Sequence, residues 1–326
     1  MRIHFAIADW GHEYNTSLFR CMIPADALSK VGHDVSCSHF DFLDELDPTK
    51  CNAVIIERNL FDNRIIEFVR RARGKTGLIA TFDDFYDIIP DYVPSHRAWQ
   101  EPNLSLFKRM LSKFDVVIVP SRILVDDYKQ YGNVQYMPNY YDAEMYQDLP
   151  EKKDDGKVHI VWGGNDTHRE GLLHSGVMAA LQSVCKFNVV VHACGTPNVT
   201  NLFMKFLPKG KVIAERWMPF HKWPAFVSQT ADIAIAPLWG EYDKRRSWVK
   251  LVDFAMVGVP VVASAEPPYE GTGALLVENT EKAWRDALMP LVKTPRLRER
   301  TALPMVRFMA DKSIQDNVKE YEDICK

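Results

Sequence analysis

No stretch of this sequence approaches the roughly 18 consecutive apolar residues of a membrane-spanning helix, which argues against an integral membrane protein. The opening residues, MRIHFAIADWGHE, hold too short an apolar run for a secretory signal and turn acidic at once. Six cysteines, at 21, 37, 51, 185, 194 and 325, form no C-x-x-C pair and no regular spacing, so neither a disulfide framework nor a zinc site is indicated. The expectation is a cytoplasmic protein with reduced thiols and no metal. An excess of charge is also missing, because 40 Lys and Arg face 43 Asp and Glu, and the net charge of −3 does not mark a nucleic-acid binder. The local exception is Arg70-Arg71-Ala72-Arg73-Gly74-Lys75, which reads first as the solvated end of a surface helix. There is no G-x-G-x-x-G, no Walker lysine and no short repeat.

What is present is the composition of a globular protein: 326 residues, 47% hydrophobic and 25% charged, enough for about two domains. Strand and helix patterns alternate. Residues 3–8, 35–40, 53–57, 78–82 and 116–120 read as strands, and 18–31, 62–73 and 123–131 as helices, the last capped by Ser121. Around Pro150 to Gly156 the chain turns polar and loses periodicity, which marks a linker. The alternation restarts with strands at 159–162, 189–193, 212–215, 233–237 and 259–264, then a helical segment from Thr280 broken near Pro295 and Pro304. Near-continuous apolar strands separated by amphipathic helices imply parallel sheets covered on both faces. The fold class is therefore α/β, with two doubly wound halves.

In such sheets ligands bind beyond the carboxyl ends of the strands. Three stretches fall there. In "HIVWGGNDTHREG", residues 159–171, a strand runs into Gly163-Gly164 and Thr167 is placed to cap the next helix. Paired glycines let backbone N–H groups approach a phosphate, and they equally make a tight turn. In "RRSWVKLVDFAMVGVPVVAS", residues 245–264, Trp248, Leu251, Val252, Ala255 and Met256 take helical spacing, with Ser247 as N-cap and Gly258 as C-cap. Arg246 and Lys250 then crowd positive charge at the wrong end of the macrodipole, at a cost of roughly 0.3–1 kcal/mol each, which a bound anion would remove. In "TFDDFYDIIPDYVP", residues 81–94, Asp83 and Asp84 can position hydroxyls or a metal, or merely shape a turn. His96, His168, Trp99, Trp239 and Trp248 are further polar or stacking candidates that serve a core equally well.

The segment "PLWGEYDKRRSWVKLVDFAMVGVPVVASAEPPY" resembles the donor-binding segment of retaining glycosyltransferases of family 4, which have the GT-B fold. One subgroup carries the same Arg-Ser-x-x-Lys helix start (Arg246, Ser247, Lys250) and a later Pro268-Tyr269. Asp83-Asp84, "FDVVIVPSRILVDDY" and "VQYMPNYYD" follow in that subgroup's order, so the resemblance covers most of the chain.

The resemblance implies two Rossmann-like domains facing across a cleft. Residues 1–152, with a terminal helix at about 306–326 returning to them, form the acceptor side, and 153–305 the nucleotide-sugar side. It implies transfer of a sugar from a nucleotide-diphosphate donor to a hydroxyl, with retention, no cofactor and no metal. Arg246 and Lys250 grip the diphosphate. Gly163, Gly164, Asn165, His168 and Ser247 line the donor, Asp253 meets the ribose and Glu241 the sugar. Asp83, Asp84 and His96 face the acceptor. Aspartate stands at 253 where the family has glutamate, and Glu241 lies four residues further from it than usual. The acceptor classes open to such an enzyme are a glycan, a lipid-linked sugar, a protein or a modified nucleic-acid base. The basic stretch at 64–75 is compatible with peripheral membrane contact or DNA. A sugar-nucleotide epimerase and a non-catalytic nucleotide-sugar or carbohydrate binder are the alternatives.

Overall fold

The computed structural model describes residues 1–9 and 15–326, and side chains in the second stretch from Thr16 onward. The chain forms two compact units: Met1–Ala143 with Arg245–Ser247 and Lys312–Lys326, and Glu144–Lys244 with Trp248–Asp311.

Unit 1 is built on strands β1 (Arg2–Ile7), β2 (Asp34–His39), β3 (Ala53–Glu57), β4 (Gly77–Thr81), β5 (Val116–Val119) and β6 (Val134–Tyr136). They lie in the order β2-β1-β3-β4-β5-β6, every pair parallel. β3 reads AVIIE and is buried along its whole length, as a strand covered on both faces must be. The connection from β1 runs to one side and that from β3 to the other, so the topological switch point lies between their carboxyl ends. The amphipathic helix Asn63–Ala72 buries Ile65, Phe68, Val69 and Ala72, and Asp62 caps it by accepting from Arg64 N at 2.9 Å. Its basic end is surface: Arg70 pairs with Glu67, and Arg71 donates to the Leu43 carbonyl. Ser121 caps Arg122–Tyr128 through Leu124 N at 3.2 Å. The stretch expected as one helix over 18–31 instead begins as a π turn, Leu18–Met22, before the α-helix Ile23–Lys30. The terminal helix Ile314–Ile324 packs on Ile23–Lys30, and His33 meets Glu322 at 2.7 Å.

Unit 2 repeats the plan with β7 (Val158–Gly164), β8 (Val189–Gly195), β9 (Val212–Glu215), β10 (Ile233–Ala236), β11 (Val261–Ser264) and β12 (Leu275–Val277). The order β12-β11-β10-β7-β8-β9, again parallel, puts its switch point between β7 and β10. The core gathers Trp162, Leu172, Phe203 and Trp284, each with no exposed surface. Three-residue β6 and β12 were too short to show as periodicity. Pro304 does not break its helix, contrary to expectation. The helix Pro295–Met309 runs through it, held by the buried face of Ala302, Met305 and Met309, while Pro304 sits on the exposed side. Among the described residues no helix is long and apolar enough to cross a membrane.

Candidate functional site

The switch point of unit 2 is closed by glycines. Gly163 and Gly164 end β7 and pair with Cys194 and Gly195 of β8. A Cβ on Gly163 would lie 2.9 Å from the Trp223 indole, and one on Gly164 would lie 2.8 Å from His168 and 3.1 Å from Lys250 Nζ. Only glycine fits either place, and both bring side chains against the main chain. Lys250 donates to the Gly163 carbonyl and holds its ammonium 5.2 Å from the centre of the Trp162 ring. His168 is buried with its ring 6.3 Å from Trp162.

The turn after β7 is capped by Asn165, not by Thr167 as expected. Asn165 Oδ1 accepts from Thr167 N at 3.1 Å and from its hydroxyl at 2.5 Å, which leaves Thr167 as the donor. Asp166 accepts from Thr196 at 2.6 Å, tying this turn to the loop after β8.

The region of Ser247 to Met256 also departs from expectation. Trp248–Leu251 is a 3-10 turn and the α-helix is only Val252–Met256. Ser247 belongs to unit 1, where its hydroxyl accepts from Asn139 Nδ2 at 3.0 Å. No long macrodipole opposes Lys250, so the helix-end argument for an anion lapses. Lys250 is instead a cation turned onto a glycine carbonyl and an indole face. Gly258, at φ +72°, takes the left-handed conformation expected after the helix. Trp248 is buried against Phe308.

Asp253 accepts from the Tyr146 hydroxyl at 2.8 Å and from Trp223. Burial raises its pKa to about 6, and those two hydrogen bonds oppose the rise. Since Trp223 also covers Gly163, the structure brings Asp253, Trp223, Gly163 and Lys250 into one cluster. Neither Trp223 nor Tyr146 was legible in the sequence as a site residue. A folded-state pKa above the unfolded one means the group favours folding below about pH 4 and loses that contribution as pH rises through about 6. Asp253→Asn should remove that pH dependence of stability, which thermal melting at pH 4 and pH 7 reads.

Glu241 lies on the short helix Gly240–Asp243, largely exposed, and pairs with Lys244 at 2.7 Å. The buried carboxylate here is its neighbour Asp243, which accepts from Trp239 N at 2.9 Å. Trp239 itself is 43% exposed.

In unit 1 the carboxyl ends of β3 and β4 carry a second polar cluster. Glu57, with no exposed surface, accepts from Ala8 N at 2.8 Å and Ser17 Oγ at 2.6 Å across the switch point. Burial lifts its pKa to about 7. Asp83 accepts from Thr16 Oγ1 at 2.9 Å, and burial followed by the charge of Asp84 raises it to about 6. Arg58, at a left-handed φ of +41°, pairs with Asp9 and lies 3.6 Å from Glu57. Fully buried Arg20 donates to Thr81 Oγ1, Asn139 Oδ1 and the carbonyls of Met137 and Ile118. Arg245 pairs with Asp127 at 2.9 Å and stacks over Phe85. Arg246 belongs to the same unit by its contacts. His96 is not drawn to the aspartates by any hydrogen bond described; its ring accepts from Gln100 at 2.9 Å. Trp99 is core, stacked on Tyr86 at 3.5 Å. Glu57 and Arg20 had a faint signal, a charge closing or interrupting an apolar run.

No family model matches the sequence, and no curated protein matches it. Solved structures do. A sucrose-phosphate synthase from Thermosynechococcus elongatus superposes with a TM-score of 0.73 at 13% identity, over 99% of this chain and 97% of that one. A glycosyltransferase from Rickettsia africae gives 0.71 at 12%, over 100% and 97%. WaaG, a glycosyltransferase involved in lipopolysaccharide biosynthesis, gives 0.69 at 11%, over 100% of both chains. The fold is that of the GT-B glycosyltransferases.

Proposed function

We propose that this protein is a glycosyltransferase that moves a sugar from a nucleotide-diphosphate donor to a hydroxyl acceptor with retention of anomeric configuration. One observation carries the reading: at the switch point of unit 2 an ammonium, that of Lys250, is fixed beside two main-chain glycines that end a parallel strand. A diphosphate needs a cation and a close approach to the main chain; Lys250 carries the charge, and glycines without a Cβ permit the approach. In this reading Lys250 stabilises the charge that grows on the leaving diphosphate, which is the main catalytic contribution. Gly163, Gly164, Asn165 and His168 form the phosphate turn, Asp253 takes the ribose diol and Glu241 a sugar hydroxyl. Asp83 and Asp84, with His96 further out, serve the acceptor. A solved structure of this fold, trehalose-6-phosphate from E. coli bound with UDP-2-fluoro glucose, superposes over 100% of this chain with a TM-score of 0.69 at 9% identity.

Incubation with a panel of nucleotide sugars, read by mass spectrometry for hydrolysis and transfer, tests the reading. Release of nucleoside diphosphate from one donor is expected. Conversion of a donor into an isomeric nucleotide sugar would instead make the protein an epimerase. Because chain cations neutralise the leaving group here, EDTA should change turnover by less than twofold. Abolition by EDTA with rescue by manganese would overturn that assignment.

A further inference from the structure

The carboxyl-end cluster of unit 1 has the wrong sign for an anion. Asp9, Glu57, Asp83 and Asp84 meet there, against Arg58 and Arg20. Arg20 cannot serve a ligand, because its guanidinium is fully buried and bonded to two carbonyls, a hydroxyl and an amide. Arg58 is held by Asp9 and Glu57, and Arg245 by Asp127. Two oxygens in the cluster are buried acceptors lacking a hydrogen-bond donor among the described residues: Oε1 of wholly buried Glu57 and Oδ1 of Asp83. Leaving such acceptors unmade is costly, and a group that brings O–H or N–H donors is what completes them. A phosphate brings acceptors and negative charge instead.

We infer that the acceptor bound by unit 1 is an unphosphorylated sugar or other polyol, whose hydroxyls donate to Asp83 and Asp84. Glu57 lies behind as a positioning residue. It fixes Ser17, whose chain neighbour Thr16 holds Asp83 Oδ2, so Oδ1 is the oxygen of Asp83 that lacks a donor. The raised proton affinity of Asp83 further suits a carboxylate that takes the acceptor's hydroxyl proton during transfer, as that O–H bond and the bond from the donor's sugar carbon to the diphosphate oxygen break, the new C–O bond forms and the nucleoside diphosphate leaves with the electron pair. This inference rests on the proposed transferase reading and names the substrate class of its second site. It sets the protein apart from neighbours whose names denote sugar phosphates.

The test is equilibrium binding, so that it does not depend on finding the donor. Saturation-transfer NMR on the full chain would compare glucose, fructose and N-acetylglucosamine with their 6-phosphates. The free sugars should bind at least tenfold more tightly than the esters, and Asp84→Asn and Asp83→Asn should narrow that ratio at least threefold. Glu57→Gln, which keeps shape and removes charge, should shift the pH dependence of sugar binding to lower pH without changing Tm-corrected nucleotide binding. Equal or tighter binding of the phosphates would overturn the inference, as would no binding by either set. The transferase reading stands or falls separately, on nucleotide binding and its dependence on Lys250.

Discussion

Lys250→Met should lower kcat and weaken donor binding together, by roughly ten- to a hundredfold, the equivalent of one charge-assisted hydrogen bond to phosphate. Methionine keeps most of the stem that crosses Trp162, so packing changes little and the lost ammonium dominates. The effect on kcat follows because phosphate charge grows as the glycosidic bond breaks, and an interaction that strengthens in the transition state is lost from both constants. Stability should fall slightly, since the variant strands the Gly163 carbonyl that Lys250 now satisfies. A cation misplaced at a helix start would behave oppositely, with a small gain in Tm and unchanged kinetics. Steady-state kinetics and thermal melting on the same variant read all of this. Unchanged kinetics would remove the central support for a transferase.

The sheets were legible because parallel strands are buried on both faces and must be nearly continuous in apolar residues. AVIIE at 53–57 and VVIV at 116–119 have no other soluble reading once helices flank them. Where local signals conflicted with packing, packing prevailed. Pro304 forbids a helical hydrogen bond, yet the buried stripe of Ala302, Met305 and Met309 carries the helix through it. The apolar spacing from Trp248 to Met256 promised one helix, but its first turn winds as 3-10 while Ser247 bonds Asn139 and Lys250 reaches Gly163. The site was half legible. Glycine pairs and the order of motifs pointed to Gly163, Lys250 and Asp253. The side chains that hold them did not stand out, because Trp223 and Tyr146 come from segments with no motif and reach Asp253 only through the fold. Glu57 is the instructive omission. A carboxylate that ends a wholly apolar strand must be paid for by fixed donors, and Ala8 N and Ser17 Oγ are those donors.

Gly195→Ala should damage unit 2 severely, and it acts through the site. Gly195 ends β8 directly opposite Gly164, and an added Cβ would fall 2.0 Å from the Gly164 carbonyl oxygen and 3.4 Å from the Trp162 ring. No side chain can rotate away from that contact, because the clashing atom is main chain. The end of β7 must move, and Gly163 and Gly164 move with it, carrying the carbonyl that holds Lys250. Overpacking of this kind typically costs about 1–3 kcal/mol, or roughly 2–10 °C in Tm for a domain of this size. Donor affinity should fall further than stability explains, by at least tenfold at a temperature where the variant is fully folded, since an ångström of displacement misplaces both the N–H groups and the ammonium. Gly77→Ala is the control: it also adds a methyl group to a strand glycine, in unit 1, where the nearest atom is Asn52 O at 3.3 Å. It should cost some stability and leave nucleotide binding unchanged. Circular dichroism melts paired with nucleotide titration on the two variants separate a general strand effect from a local one. A folded Gly195→Ala protein that binds the nucleotide as the parent does would place the diphosphate elsewhere than at the Gly163–Gly164 turn.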